Sequence, residues 1–254
     1  MKFTVLTDVG VKRVTNQDFA DVYINKAGQK IFILADGMGG HKAGNVASRL
    51  TVEDIGKQWK DTNFDKNNSM DQISTWLTEK ISLENQNIAD LGNLDDYKGM
   101  GTTLEAVIIL GDKLICGHVG DSRTQVIRGD QLIKITKDHS LVQELVDAGE
   151  LTPEQAENHP NKNIVTKSIG QQTFLEPDIY VFDLEKNDYI LISSDGLTNM
   201  VSNAEIVGVI KGYDALEKKA ETLIELANTY GGLDNITVIL IQYENGGLSN
   251  DSSR

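Results

Sequence analysis

Aspartates recur where predicted apolar strands meet sharp turns, each beside Gly, Ser or Asn. Four share this setting, in Leu-Ala-Asp36-Gly, Val-Gly-Asp121-Ser, Ser-Ser-Asp195-Gly and Gly-Leu-Asp234-Asn, and a fifth acid, Asp18, lies between the first two strands. One Asp-Gly pair usually marks only a turn. Several carboxylates that converge in a cleft of low dielectric repel one another, however, unless cations lie between them. The repetition therefore predicts a metal site more than a set of turns.

The type of ligand indicates the type of metal. Oxygen ligands supplemented by water suit Mg or Mn, whereas zinc sites usually use paired His or Cys, which this sequence lacks. Glycines near the first aspartate also invite a nucleotide-binding interpretation. Their spacing matches neither the P-loop nor the dinucleotide-binding fingerprint, and they are Gly37, Gly39, Gly40 and Gly44.

Composition narrows the class of protein. The chain has 254 residues, with 24 basic and 38 acidic side chains and a formal net charge of −14. That balance argues against nucleic-acid binding through a basic surface. The lone Cys116 cannot form an internal disulfide framework, which favours a cytoplasmic location. No apolar stretch approaches the 18 residues of a membrane span, so we expect no membrane partner. An acidic monomer is the default expectation for the oligomeric state.

The elements that must position the aspartates alternate in pairs rather than as single strands and helices. Strands are predicted at 3–8, 19–25, 31–35, 103–110, 113–119, 124–135, 179–184, 189–193 and 236–243, and helices near 43–59, 70–94, 141–148, 153–157, 204–211 and 216–230. Strands joined by short turns imply antiparallel pairing. The predicted fold class is therefore α+β, with two antiparallel sheets packed face to face and helix pairs on the outer faces, an α-β-β-α sandwich.

Two segments fall outside this pattern. All three prolines lie within 138–177, which also holds seven acidic and two basic side chains. We interpret this stretch as an insertion over the surface, partly helical and partly loop. The tail at 244–254 is rich in Asn, Gly, Ser and Asp and is predicted to be disordered.

Taken in chain order, seven motifs of this sequence resemble those of the metal-dependent protein phosphatase family, the PPM or type 2C group, in its bacterial single-domain serine/threonine form. The resemblance covers residues 1–243, with 138–177 as the family's flap beside the active site. Seven motifs carry it: Arg13…Asn16-Gln-Asp18, Leu-Ala-Asp36-Gly-Met-Gly-Gly-His, Gly101-Thr-Thr, His-Val-Gly-Asp121-Ser-Arg, Thr-Lys-Asp138-His-Ser, Ser-Ser-Asp195-Gly-Leu-Thr and Gly232-Leu-Asp234-Asn-Ile-Thr.

The resemblance implies a two-metal centre of Mn or Mg at one edge of the sandwich. Asp36 would bridge both ions, and the Gly37 carbonyl would bind one of them. Asp195 and Asp234 would complete the shell of the other ion. Asp18 would hold metal-bound waters instead of binding an ion directly.

Further roles follow from the resemblance. Bacterial members can bind a third ion, and Asp121 with Asp195 matches that site. A hydroxide bridging two ions would attack phosphorus in line and hydrolyse a phosphomonoester. A phosphate dianion needs a fork of donors, and Arg13, one of five arginines, lies five residues before Asp18. We therefore assign phosphate binding to Arg13.

The sequence departs from the family pattern at two positions. Gln17 stands where many members have Glu, and Met38 stands where many eukaryotic members have a His that can donate a proton to the leaving group. General acid catalysis by that side chain is therefore unavailable. A metal-bound water and His41 remain open as substitutes.

The implied substrates are phosphorylated proteins, modified by a serine/threonine kinase. Two alternatives remain open: a phosphatase dedicated to small phosphoesters, and a non-catalytic, metal-stabilised binding module. The intact set of Asp36, Asp195 and Asp234 argues against the module, because a pseudoenzyme often loses such ligands.

Overall fold

A computed structural model describes residues 1–39 and 43–244 of the chain. The strands are Lys2–Asp8 (β1), Asp18–Ile24 (β2), Lys30–Met38 (β3), Gly101–Thr102 (β4), Leu104–Leu110 (β5), Lys113–Val119 (β6), Arg123–Arg128 (β7), Gln131–Lys134 (β8), Asp178–Asp183 (β9), Tyr189–Ser193 (β10) and Ile236–Gln242 (β11). The helices are Ala43–Lys60 (α1), Met70–Leu91 (α2), Leu141–Asp147 (α3), Pro153–Glu157 (α4), Asp195–Thr198 (α5), Asn203–Lys211 (α6) and Leu216–Thr229 (α7).

The strands form two sheets. One has the order β1-β11-β10-β7-β8, and the other has the order β2-β3-β5-β6-β9, with β4 also paired to β3. Every neighbouring pair is antiparallel. The predicted α+β sandwich of two antiparallel sheets is confirmed.

Three apolar cores separate the four layers. Strand β3 shows why, since its side chains alternate between two faces. Ile31 and Ile33 pack with Trp59 beneath α1 and α2, whereas Phe32 and Leu34 pack between the two sheets. A third core lies between the other sheet and helices α5, α6 and α7. Because both faces of β3 are buried, its sequence is a continuous apolar run.

Two turns test the strand predictions. The hairpin at 25–29 is present between β2 and β3, where the Asn25 N–H donates to the Gln29 carbonyl at 2.9 Å. The single strand predicted at 124–135 is wrong, because the chain folds there into the hairpin of β7 and β8. Gly129 lies at the turn with φ +59°, a left-handed conformation that glycine adopts without strain.

Within the segment at 138–177, residues 139–141 are held against residues 164–166, whereas Ile169 and Leu175 are buried in the core beneath α1 and α2. The Thr166 N–H donates to the His139 carbonyl, and the Leu141 N–H donates to the Ile164 carbonyl, each at 2.9 Å. Helices α3 and α4 lie between these two bonded stretches. Most of the predicted disordered tail, 245–254, lies outside the described residues. Across 1–39 and 43–244, none of the helices has the length and apolar character needed to span a bilayer.

Candidate metal centre

Six of the seven predicted site residues line one cavity of about 300 Å³. Antiparallel pairing explains the convergence, because the end of one strand lies beside the start of its neighbour. The cavity is lined by the predicted residues Arg13, Asp36, Gly37, Asp121, Asp195 and Asp234, together with Gln17, Met38, Gly39, Thr103, Asn163 and Val165. The seventh residue, Asp18, is the register partner of Asp36 across β2 and β3.

Asp18 is a buried carboxylate at the junction of the two sheets. Its Oδ2 accepts a hydrogen bond of 2.7 Å from the Ser194 hydroxyl, which follows β10 in the other sheet. Its Oδ1 is buried and has no hydrogen-bond partner. Burial raises the pKa of Asp18 to about 6, although the bond from Ser194 opposes the shift.

Asp36 is fixed through its backbone by two threonines. Its N–H donates to Thr103 Oγ1 at 2.9 Å, and its carbonyl accepts from the Thr103 N–H at 2.9 Å and from Thr102 Oγ1 at 2.8 Å. Burial raises the pKa of the Asp36 carboxyl well above its usual range, and the negative charges of Asp18 and Asp195 raise it further. The Asp36 backbone is thus fixed by hydrogen bonds, while the Asp36 carboxyl is repelled by the neighbouring carboxylates.

Gly37 is required by a close approach of two backbones. A Cβ at this position would lie 2.1 Å from the Gly44 carbonyl oxygen and 2.7 Å from the Gln17 carbonyl oxygen. The Gly37 N–H donates to that Gln17 oxygen at 3.1 Å. Any larger residue would therefore push α1 and the loop before β2 away from the cavity.

Asp121 follows β6 at a tight turn. Gly120 has φ +109°, and a Cβ there would lie 2.6 Å from the Thr103 side chain. The next residue, Ser122, forms a hydroxyl–hydroxyl hydrogen bond of 2.8 Å with Thr103. Burial raises the pKa of Asp121 to about 6, and the charge of Asp138 adds to this shift.

Asp195 is the first residue of α5, a short helix that the sequence analysis did not predict. Its Oδ2 accepts a hydrogen bond of 2.9 Å from Asn199 Nδ2, whereas its Oδ1 is buried and has no hydrogen-bond partner. Burial raises the pKa of Asp195 to about 8, and the charges of Asp121 and Asp234 contribute to the increase. Only four residues form the helix, too few for a periodic apolar pattern to reveal it.

Arg13 and Asp234 form an ion pair at the mouth of the cavity. The distance from Arg13 Nη2 to Asp234 Oδ2 is 2.7 Å, and the Arg13 side chain is half-exposed. From the sequence, Arg13 is predicted to bind phosphate and Asp234 to bind a metal ion, and a contact between them is not predicted. Asp234 Oδ1 accepts a further bond of 2.9 Å from the Asn235 N–H.

Asn235 is a positioning residue that the sequence analysis missed. Its Oδ1 accepts from the Gln17 N–H at 2.8 Å, and its Nδ2 donates to the carbonyls of Val9 and Thr15 at 2.9 and 3.0 Å. One side chain thus shapes the loop that carries Arg13. The signal was present, since Asn235 directly follows Asp234 in one of the seven motifs.

A second missed pair fixes the start of the segment at 138–177. Arg123 donates from Nε to Asp138 Oδ1 at 3.1 Å and from Nη2 to Asp138 Oδ2 at 2.7 Å. Lys134 Nζ lies 2.9 Å from the same carboxylate. Both partners stand in the quoted motifs, but nothing in their spacing indicates that they meet.

The histidines in the described part of the chain lie outside the cavity lining. His41 lies outside the described residues, so its suggested role stays a prediction. His118 is fully buried on β6, where it contacts Glu105 and the Lys137 carbonyl. None of the residues that line the cavity in the described part of the chain is a histidine. Its ionisable lining groups are carboxyls and one guanidinium.

The residues fit a divalent cation by the chemistry of their donors. Asp18 and Asp195 each present a buried oxygen without a partner, and neighbouring acids raise each other's pKa. A hard cation would satisfy these oxygens and relieve the repulsion. Within 1–39 and 43–244, however, no three His, Cys, Asp or Glu side chains form a ready metal-binding group. The carboxylates nevertheless line one cavity, where side-chain rotation can bring them together.

Known proteins show strong similarity to the chain over nearly its full length. The family described as protein phosphatase 2C matches residues 11–235. Protein phosphatase PhpP of Streptococcus pneumoniae is 50% identical over 241 residues, covering 95% of this chain and 97% of PhpP. The solved Streptococcus agalactiae serine/threonine phosphatase is 52% identical with a TM-score of 0.92, covering 96% of this chain and 99% of that one. The catalytic domain of PstP, solved in complex with two manganese ions, is 32% identical with a TM-score of 0.77, covering 94% and 96%.

Proposed function

The chain belongs to the protein phosphatase 2C family, and from that premise we propose how its own residues carry out the reaction. It is a metal-dependent serine/threonine protein phosphatase that acts on phosphoproteins. The metal is divalent. We propose that the enzyme binds two ions of Mn or Mg, and that Asp121 and Asp195 hold a third. The structure of the PstP catalytic domain with two manganese ions supports the proposal of two ions.

One observation carries the assignment of residues. Asp36, Asp121, Asp195 and Asp234 line the same cavity as Arg13, the phosphate-binding candidate. In this proposal Asp36, the Gly37 carbonyl, Asp195 and Asp234 would hold the two ions. Asp18, beside them and bonded to Ser194, orients solvent ligands. These roles use the orphaned carboxylate oxygens of Asp18 and Asp195.

The ions, when bound, supply a nucleophile at neutral pH and neutralise charge on the phosphate. Arg13 binds and orients the phosphate. A guanidinium has five donor hydrogens, and its bond to Asp234 uses one, so Arg13 can hold both partners at once. Met38 lines the cavity but has no ionisable group and transfers no proton. No side-chain nucleophile is required.

The proposal also covers the domain boundaries, the flap, the substrates and the location of the enzyme. We assign residues 1–243 to one phosphatase domain, with 138–177 as its flap. Asn163 and Val165 of this segment line the cavity, which supports its place beside the substrate. We propose that the substrates are phosphorylated by a serine/threonine kinase, and that the enzyme works as a cytoplasmic monomer.

The decisive experiment compares two substrates and one variant. Hydrolysis of an aryl phosphate and of a phosphothreonine peptide is measured with Mn, with and without a chelator. The variant Asp195→Ala is expected to be inactive. Asp130→Ala, at the exposed turn between β7 and β8, serves as the control.

Each alternative gives a different result. Activity that survives chelation would exclude the metal mechanism. An inactive protein in the presence of Mn would favour the binding module. Hydrolysis of the aryl phosphate without hydrolysis of any phosphopeptide would favour an enzyme for small phosphoesters.

A further inference from the structure

Three aliphatic side chains stand in solvent beside the proposed phosphate site. Val11 is 60% exposed, Val14 is 96% exposed and Leu233 is 56% exposed. Single exposed apolar residues are normal on protein surfaces. These three, however, belong to the same two loops that carry Arg13 and Asp234. We call Val11, Val14 and Leu233 the apolar rim.

The loops that carry Val11 and Leu233 lie against each other, and Val14 follows Val11 on the first of them. The N–H groups of Val11 and Lys12 donate to the Gly232 carbonyl at 2.9 and 3.0 Å. A Cβ on Gly232 would lie 2.7 Å from Val11 Cγ2, which shows that the Val11 side chain covers this glycine. Leu233 follows Gly232 directly, and the ion pair between Arg13 and Asp234 joins the loops again at 2.7 Å.

The rim continues into the proposed active site. Arg13 lies between Val11 and Val14 in sequence and also lines the cavity. Consecutive residues of a peptide are 3.8 Å apart. A peptide whose phosphate binds Arg13 therefore carries its adjacent side chains within reach of the rim. The substrate chain itself is thus the occupant that the geometry favours.

Other occupants fit less well. Three side chains offer far less area than the roughly 1,200 Å² that a stable protein–protein interface buries. An anionic membrane surface would be repelled by a chain of net charge −14. An acidic side chain next to the phosphate would lose hydration against the aliphatic rim, whereas an apolar side chain would gain contact there.

We infer that the apolar rim is a subsite for an apolar side chain adjacent to the phosphoserine or phosphothreonine. The enzyme then prefers phosphosites flanked by aliphatic residues over sites flanked by acidic ones. This inference rests on the proposed phosphate binding at Arg13, and it adds a substrate class that the metal chemistry alone does not define.

The test uses three phosphothreonine peptides that differ only in having Leu, Ser or Glu on both sides of the phosphoresidue. An aryl phosphate, which has no flanking residues, normalises each enzyme variant. For the unmodified enzyme, kcat/KM is expected to be about tenfold higher for the Leu peptide than for the Ser peptide, and lowest for the Glu peptide.

Three variants assign this preference to the rim. Val14→Ser and Val11→Ser are expected to reduce the Leu-to-Ser ratio to about twofold or less. Val14→Lys is expected to favour the Glu peptide, a reversal that general destabilisation would not produce. Val181→Ser, on β9 and 49% exposed, is the matched control and should keep the original ratio.

The outcomes separate this inference from the proposed function. Equal rates on the three peptides, or a preference that Val14→Ser and Val14→Lys leave unchanged, would overturn the subsite while phosphatase activity stands. A dimer in solution that dissociates on Val14→Ser would assign the rim to a second copy and overturn it as well. Failure to hydrolyse any substrate would overturn the proposed function and this inference with it.

Discussion

His139 holds the turn before Asp121 by bonding to both backbone groups of Gly120. The His139 N–H donates to the Gly120 carbonyl at 2.7 Å, and the Gly120 N–H donates to His139 Nδ1 at 3.0 Å. Because Nδ1 accepts, the ring proton resides on Nε2, which lies 3.2 Å from Asp178 Oδ2. Burial lowers the pKa of His139 to about 4, with a contribution from His118, so the ring is neutral at physiological pH.

His139→Ala should therefore weaken the metal site that we assign to Asp121. Loss of a residue that orients a ligand typically costs tenfold or more in metal affinity. We expect the weakest Mn dissociation constant, measured by calorimetric titration, to rise about tenfold. His159→Ala is the control, since the His159 ring accepts a local bond from the Asn161 N–H in the same segment. Unchanged Mn affinity in His139→Ala would contradict this role.

Asp195→Asn should abolish hydrolysis and stabilise the metal-free protein. We expect kcat on an aryl phosphate to fall by about 10³ or more, since the substitution removes a charged ligand. Meanwhile the melting temperature without metal should rise by several degrees at pH 7.5, because a buried Asn is neutral without taking up a proton, whereas Asp195 must bind a proton or keep a charge beside the other acids. Calorimetry and steady-state kinetics provide the two measurements. The control Asp130→Asn, on an exposed turn, should change neither kcat nor the melting temperature. A lower melting temperature in Asp195→Asn would argue against repulsion among the carboxylates of the cavity.

The stability of the metal-free protein should fall as pH rises. The pKa of Asp195 is raised from 3.8 to about 8, so between these values the folded state holds a proton that the unfolded state has released. The free energy of unfolding then decreases with pH, by up to about 1.4 kcal/mol per unit for one such group. Thermal unfolding in chelator at pH 5.5, 6.5 and 7.5 measures this slope. Asp195→Asn should flatten it, and equal slopes in both proteins would assign the pH dependence elsewhere.

Arg13→Ala should raise KM for phosphate esters. A hydrogen bond to a charged group contributes about 1.5–3 kcal/mol, which corresponds to a change of roughly 10- to 150-fold. Arg13→Lys should recover only part of this, because an ammonium cannot form the bidentate fork of a guanidinium. Steady-state kinetics on an aryl phosphate check both variants. Lys12→Ala removes the adjacent exposed charge, and an equal loss there would indicate general attraction rather than a specific phosphate contact.

The sequence was sufficient for the layers of the fold because its signals are local. The run from Ile31 to Ala35 is apolar on both faces, which is typical of a strand buried between a helix layer and a second sheet. Turns with Gly and Asn indicated short antiparallel connections. The stretch at 124–135 was assigned as one strand although it contains the turn signal Arg128-Gly129-Asp130, and the chain reverses direction at that signal.

The carboxylates of the site were predictable because each stands at a strand end, a position that periodicity reveals. The residues that position them were not. Asn235, Ser194 and His139 act through bonds to residues that are distant in sequence, and a spacing rule cannot detect such bonds. The pairing of Arg13 with Asp234 belongs to the same class, since 221 positions separate the two residues.

The side-chain bonds of Asn235 also determine when the enzyme can first work during its synthesis. This residue shapes the loop of Arg13, and β1 lies at the edge of its sheet beside β11. Both arrangements join the start of the chain to its last strand. A nascent chain that still lacks β11 therefore has β1 without its neighbouring strand and the Arg13 loop without the side-chain bonds of Asn235. On the roles proposed above, dephosphorylation would begin only after β11 has left the exit tunnel and paired with β1.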